Sequence, residues 1–201
     1  MSVLKYTIVL IAGYLLGSLS SSILLSRGAL GVDVRQQGSG NAGATNMARA
    51  FGWKAGLLTL ACDMLKAVLA MELGRFLLGD WGLAVGGAAC ITGHCFPVFH
   101  DFRGGKGISV GAAIGLCIDW RVFVAIVAVF LIVALLTRKV SAGSLAASVA
   151  IMPATLLFAH TPPKLLLAGF AMCLAIFQHR ANIKRLQKGT EPDFKAGEEK
   201  L

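Results

Sequence analysis

An all-α integral membrane protein that crosses the bilayer several times is the fold class this sequence predicts, and three observations predict it. Hydrophobic residues fill 56% of the 201 positions and charged residues only 14%, with a mean hydropathy of +0.74, whereas soluble domains carry about 25% charged residues. Apolar runs of helix length recur along the chain. The basic residues behind the net charge of +9 sit between those runs, where they set membrane topology and attract anionic ligands. No nucleic acid partner is implied.

The candidate membrane segments are 3–26, 55–78, 82–99, 108–119, 120–137, 140–159 and 163–178. The first lacks a basic stretch followed by an A-x-A-like cleavage site and reads as a retained segment. A spanning helix needs about 20 residues, so 108–119, cut off by Asp119, Trp120 and Arg121, reads as a re-entrant or half helix, or as a span extended into the glycine-rich loop before it. The count is seven, with five as the conservative figure. Gly82 and Gly86, and Gly111 and Gly115, have the spacing that permits close helix approach. All five cysteines lie in apolar stretches as small hydrophobes, and no disulfide framework is suggested.

Basic residues give the orientation. With the N-terminus outside and the C-terminus in the cytoplasm, fourteen Lys and Arg fall on the inner side and four on the outer, as the positive-inside rule expects. The polar segments 35–54, 100–107 and 179–201 then share the cytoplasmic face of a single membrane domain spanning 1–201.

The first of them reads Gly38-Ser39-Gly40-Asn41-Ala42-Gly43-Ala44-Thr45-Asn46, with Arg49 a turn later. Small residues leave backbone N–H groups open, and Ser, Thr, Asn and Arg side chains add donors suited to phosphate oxygens. The stretch matches G-x-G-x-x-G, with Asp63 downstream, but no βαβ unit surrounds it, so dinucleotide binding is not indicated.

In the second segment His100-Asp101-Phe102-Arg103-Gly104-Gly105-Lys106-Gly107 offers two cations and glycine backbone for another anion. Gly107 stands where a P-loop needs Ser or Thr, which disfavours nucleoside triphosphates. Gly107-Ile108-Ser109-Val110-Gly111 fits the nucleophile elbow of hydrolases but opens an apolar helix with no strand before it. Cys90, His94 and Cys95 fit no common metal spacing, and His94 stands near the site.

The third segment, His179-Arg180-Ala181-Asn182-Ile183-Lys184-Arg185, leads to Glu191; helical spacing puts His179 and Asn182 on one face. Asp63 and Lys66, at i and i+3 inside an apolar run, pair with each other, either as a structural ion pair or as part of the site. Glu72 and Arg75 repeat that spacing with a structural reading.

Taken in order, GSGNAGATNMAR, GHCFPVFHDFRGGKG and HRANIKRLQKGTE resemble the three cytoplasmic motifs of the acyl-phosphate:glycerol-3-phosphate acyltransferases, the PlsY family. The likeness runs along nearly the whole chain; Ser20 to Ser22 and Gln178 depart from the usual pattern. The resemblance implies seven membrane helices and transfer of a fatty acyl group from acyl phosphate to the 1-hydroxyl of glycerol 3-phosphate, at the cytoplasmic face of the bacterial inner membrane. It places Ser39, Arg49, Lys106, His179 and Asn182 around glycerol 3-phosphate, with His179 and Asn182 as catalytic candidates. It assigns the donor phosphate to the glycine-rich loops, namely Gly38, Gly40, Asn41, Thr45, Asn46, Arg103, Gly104, Gly105 and Gly107, and makes Glu191 mainly structural. Its partners are the two substrates, the bilayer and the soluble enzyme that makes acyl phosphate, with no metal or cofactor.

An acyl phosphate already carries a good leaving group, so the reaction chiefly needs two anions held together. No enzyme nucleophile is required; the base is either His179 or a substrate phosphate. Acyltransferases that use acyl-CoA or acyl carrier protein rely on an H-x-x-x-x-D pair, whereas His94, His100, His160 and His179 are followed at that offset by Phe99, Gly105, Leu165 and Lys184. A membrane transporter of a phosphorylated solute is the rival class, but its site belongs near the bilayer midplane and commonly between inverted repeats, of which none is evident.

Overall fold

The computed structural model describes residues 2–194; Met1 and 195–201, including Lys195, Lys200 and the end of the expected 179–201 tail, lie outside it. Among the described residues there are nine α-helices and no strand. These are α1 (Ser2–Ser18), α2 (Ser21–Leu30), α3 (Ala44–Phe51), α4 (Trp53–Cys95), α5 (Ile108–Ile118), α6 (Trp120–Thr137), α7 (Val140–Phe158), α8 (Pro162–Gln178) and α9 (Arg180–Gln187). Two short 3-10 turns, Val34–Gln36 and Val98–His100, punctuate the polar loops.

The runs 55–78 and 82–99 are joined in α4, which breaks at Gly79 (φ 62°, ψ −147°), a conformation that only glycine adopts cheaply. The second half folds back on the first. A Cβ on Gly82 would run into the Gly74 carbonyl, and one on Gly86 would lie 2.5 Å from Ala70 O, so this glycine pair serves close packing as its spacing suggests. Gly111, by contrast, faces open space. Helix α4 ends at Cys95 and not at 99, because Pro97 disfavours helical backbone at Phe96, which sits at φ −128°, ψ 67°. Helix α1 packs along this hairpin, with α5 and α8 on it as well and α7 packed against α6 and α8. Glu72 and Arg75 pair at 2.6 Å.

Among the described residues three stretches are long and apolar enough to cross a membrane: Ser2–Leu30, α6 and α7. Helices α8 and α9, bent by 59° at their junction, form a fourth if taken as one span. Helix α5, of 11 residues, extends only about 17 Å against a hydrocarbon core of ~30 Å. Phe76, Leu135 and Leu136 are 77–86% exposed, an apolar exterior suited to lipid. Met71, Leu83, Ile91, Ile114 and Val122 fill the interior.

The expected loop 35–54 is half helical. Gly43 leaves the chain extended, and the residues after it form α3, which buries Met47, Ala48 and Ala50. All three polar segments meet at one end of the bundle. Arg35 donates to His100 O at 2.9 Å, and Lys106 reaches Asn182 at 2.7 Å.

Candidate active site

The first loop is built around two buried side chains. Asp33 Oδ1 accepts the Arg35 N–H at 2.9 Å, and its carboxylate pairs with the Arg27 and Arg35 guanidinium groups at 2.7 and 2.9 Å. Burial alone would raise the Asp33 pKa, but those donors hold it well below the usual carboxylate range. Asn46 Oδ1 accepts from Ser39 N at 2.9 Å, and its Nδ2 donates to Val34 O and Gln37 O, each at 3.0 Å. Asn46 thus shapes the turn carrying Gly38, Ser39 and Gly40, where both glycines take positive φ.

The second loop docks on the end of α4. Gly104 N–H donates to Cys95 O at 3.2 Å and Gly105 N–H to His94 O at 3.0 Å, so these two amides are engaged with protein carbonyls. Lys106 follows, and its Nζ donates to Asn182 Oδ1 at 2.7 Å. Asn182 Nδ2 donates to Glu191 Oε1 at 2.7 Å, and Arg185 Nε to Glu191 Oε2 at 2.6 Å. The chain after α9 is tied to the α6–α7 turn by Lys139 Nζ, which donates to Glu191 O at 2.7 Å, and by Phe194 N–H, which donates to Arg138 O at 3.0 Å.

Electrostatics follow from this crowding. Burial, with the charges of Arg185 and Arg49 acting against Glu191, lowers the Lys106 pKa to about 8, so the ammonium persists at neutral pH. His179 is 3% exposed, and its Nδ1 lies 2.8 Å from Ala175 O. A carbonyl only accepts, so Nδ1 carries the proton and Nε2 is the free acceptor. Burial, reinforced by Lys106, pushes the His179 pKa down to about 4 despite that bond. Burial would raise the Glu191 pKa, but its donors outweigh it and keep the carboxylate charged.

These groups border a cavity of about 800 Å³. Its polar end is formed by Ser39, Gly40, Asn41, Thr45, Asn46, Arg49, Lys106, Gly107, His179, Asn182, Arg185 and Glu191, and His94 stands on its wall. Gly38 and Arg103 are exposed and, like Gly104 and Gly105, are not among the lining residues. Asp63 and Lys66 pair at 3.0 Å behind the wall. Most of the remaining lining is apolar, with Phe123, Ile126, Val127 and Phe130 from α6 and Ile151 and Met172 from α7 and α8. The cavity therefore offers an anion site continuous with a hydrocarbon site, the shape of a ligand with a charged head and a long chain.

Ser141, Ser144 and Ser148 also line it. Sequence reading attached no role to Ser144 or Ser148, although their spacing along α7 makes one polar stripe on an apolar helix, a legible signal.

Residues 7–189 match the family model for glycerol-3-phosphate acyltransferase. A protein of that name from Thermoanaerobacter pseudethanolicus is 39% identical over 181 residues, covering 90% of this chain and 91% of its own. One from Clostridioides difficile is 38% identical over 197 residues, covering 95% and 96%. The fold is similar to the crystal structure of PlsY (YgiH), an integral membrane glycerol 3-phosphate acyltransferase, in its glycerol 3-phosphate form, with a TM-score of 0.90 at 33% identity over 94% of this chain and 96% of that one. The lysophosphatidic acid form of that enzyme superposes with a TM-score of 0.87 at 32% identity, over 94% and 95%.

Proposed function

The chain belongs to the glycerol-3-phosphate acyltransferase family, and we propose that it acylates the 1-hydroxyl of glycerol 3-phosphate with acyl phosphate as donor, at the cytoplasmic face of the bacterial inner membrane. The acyl transfer itself, a step of phospholipid synthesis in an integral membrane enzyme, is the family's activity. In the proposed topology the chain is one membrane domain of about seven spans with its N-terminus outside, and the soluble enzyme that makes acyl phosphate supplies the donor.

The observation that carries the reading is the Lys106–Asn182 contact at 2.7 Å, at the cation-rich end of a largely apolar cavity that Ser39, Arg49 and His179 also line. Glycerol 3-phosphate sits there with its phosphate against Arg49 and Lys106, while the donor phosphate lies against the loop of Gly40, Asn41 and Thr45 and near Gly107. The acyl chain runs along the α6 wall. Cations between two phosphates offset their mutual repulsion and stabilise the charge that develops on the leaving group.

The 1-hydroxyl oxygen bonds to the acyl carbon as the bond from that carbon to the phosphate oxygen breaks. A substrate phosphate takes the hydroxyl proton, because its second pKa near ~6 exceeds the value of about 4 at which His179 titrates. His179 Nε2 accepts a hydrogen bond from the neighbouring 2-hydroxyl, which aligns the glycerol backbone and leaves the 1-hydroxyl proton for the phosphate. Asn182 holds Lys106 in place.

Purified protein in detergent, given glycerol 3-phosphate and acyl phosphate, acyl-CoA or acyl carrier protein in turn, tests the donor. Lysophosphatidate is expected from acyl phosphate alone; equal turnover with acyl-CoA would overturn the assignment. A trapped acyl-protein adduct would overturn direct transfer.

A further inference from the structure

His94 on the cavity wall and Asp63 and Lys66 behind it form a buried cluster that the proposed chemistry does not use. Ionisable groups at membrane depth are costly, and an ion pair that merely fills a core is replaceable by apolar side chains. The placement of this one is specific. Lys66 Nζ donates to Gly17 O at 3.0 Å and Leu19 O at 2.7 Å, at the break between α1 and α2, and lies 3.3 Å from His94 Nδ1. An ammonium has three N–H donors and accepts nothing. Those three partners engage all of them, so Asp63 Oδ1, at 3.0 Å, neutralises the charge without a hydrogen bond of its own. His94 Nδ1 must then accept, which leaves the imidazole proton on Nε2.

That ring edge lies against Gly105. A Cβ added there would collide with His94 Nε2, and it would stand 3.0 Å from Ala42 O of the first loop. The His94 carbonyl also accepts the Gly105 N–H at 3.0 Å, so both the backbone and the ring of His94 confine Gly105. On the far side of Lys106, Ser109 Oγ donates to Asp63 Oδ2 at 3.1 Å. The buried cluster thus holds the chain immediately before Lys106 through His94 and again three residues after it through Asp63.

The geometry points to Asp63, Lys66 and His94 as positioning residues that fix where the Lys106 ammonium meets the phosphate of glycerol 3-phosphate. The inference rests on the proposed role of Lys106 in binding that substrate.

The test compares His94→Ala, His94→Asn, Gly105→Ala and the His94→Ala/Gly105→Ala pair, reading kcat, KM for each substrate and the thermal midpoint in detergent. Because a misplacement of about 1 Å costs up to ~100-fold, His94→Ala is expected to raise KM for glycerol 3-phosphate by about tenfold or more, with a much smaller change in KM for the acyl donor. Its thermal midpoint falls, because Lys66 loses a buried partner, but the selective rise in KM persists in the folded fraction. Asn, whose amide oxygen can accept from Lys66, restores most of the loss. Gly105→Ala is expected to be severe alone and much milder on the His94→Ala background, where the colliding ring is gone. Parent kinetics in His94→Ala, a loss that only follows the folded fraction, or the same Gly105→Ala penalty in both backgrounds overturns the inference. Lys106→Ala, assayed alongside, separates the two readings. An unchanged KM for glycerol 3-phosphate there overturns the site assignment, whereas a defect in Lys106→Ala with none in His94→Ala overturns only the positioning role.

Discussion

Lys106 Nζ and Asn182 Oδ1 meet at 2.7 Å across 76 positions of sequence, and Asn182 is in turn held by Glu191 at 2.7 Å. An ammonium must face the amide oxygen and a carboxylate must face the amide nitrogen, so the two neighbours fix the orientation of Asn182 between them.

Lys106→Ala removes the cation proposed to face the substrate phosphate and should lower kcat/KM by about 10²–10³-fold, the range for loss of one preorganised donor. Asn182→Ala should lower it less, and the double variant should fall short of the product of the two, since both act through one contact. Steady-state kinetics on the four proteins of the cycle check this.

Activity should fall on the alkaline side. Lys106 is charged below its pKa of about 8 and neutral above it, so kcat/KM for glycerol 3-phosphate declines as pH rises through that value. His179, neutral well above its pKa of about 4, adds no inflection near neutrality. A pH–rate profile of Lys106→Arg, which stays charged, should lack the alkaline decline.

Glu191→Ala leaves Asn182 Nδ2 and Arg185 Nε without their carboxylate. Such loss of a partner at a part-buried site costs about 1–3 kcal/mol. The variant should melt at lower temperature in detergent and lose activity together with stability, while Glu191→Gln keeps an oxygen acceptor and retains more of both.

Gly82→Val puts a branched side chain against the Gly74 backbone inside the α4 hairpin. Overpacking of this kind costs about 1–3 kcal/mol. Thermal melting should report the loss, while KM for either substrate in the folded fraction stays unchanged.

The periodic, strongly apolar runs were legible because lipid demands them, and the polar segments stood out against that background. Residues 35–54 were harder. Gly, Ser and Asn suggest a loop, yet from Ala44 onward tertiary burial of Met47 outweighs the glycine-rich context and makes α3. The break between 55–78 and 82–99 was legible as a gap between two apolar runs, but that it turns on a single positive φ at Gly79 was not, since one glycine among 24 does not announce such a conformation. His94 and Lys66, 28 positions apart, show the general difficulty. Spacing can pair Asp63 with Lys66 on one helix, but the imidazole arrives only because that helix doubles back. Gly104 and Gly105 looked like open phosphate donors, whereas their amides close onto α4 carbonyls, a pairing that no local pattern encodes.

Helix α6 supplies Phe123, Ile126, Val127 and Phe130 to the cavity, yet Ile132, Leu135 and Leu136 on the same helix are 57–81% exposed. It is a partition with hydrocarbon on its outer side and a chain-shaped space on its inner one. An engineer wishing to change the length of fatty acid the enzyme accepts can therefore recut the inner residues one at a time, since the outer face asks only for greasiness and the one charged residue of α6, Arg121, is paired with Asp119 at its start, outside the cavity lining.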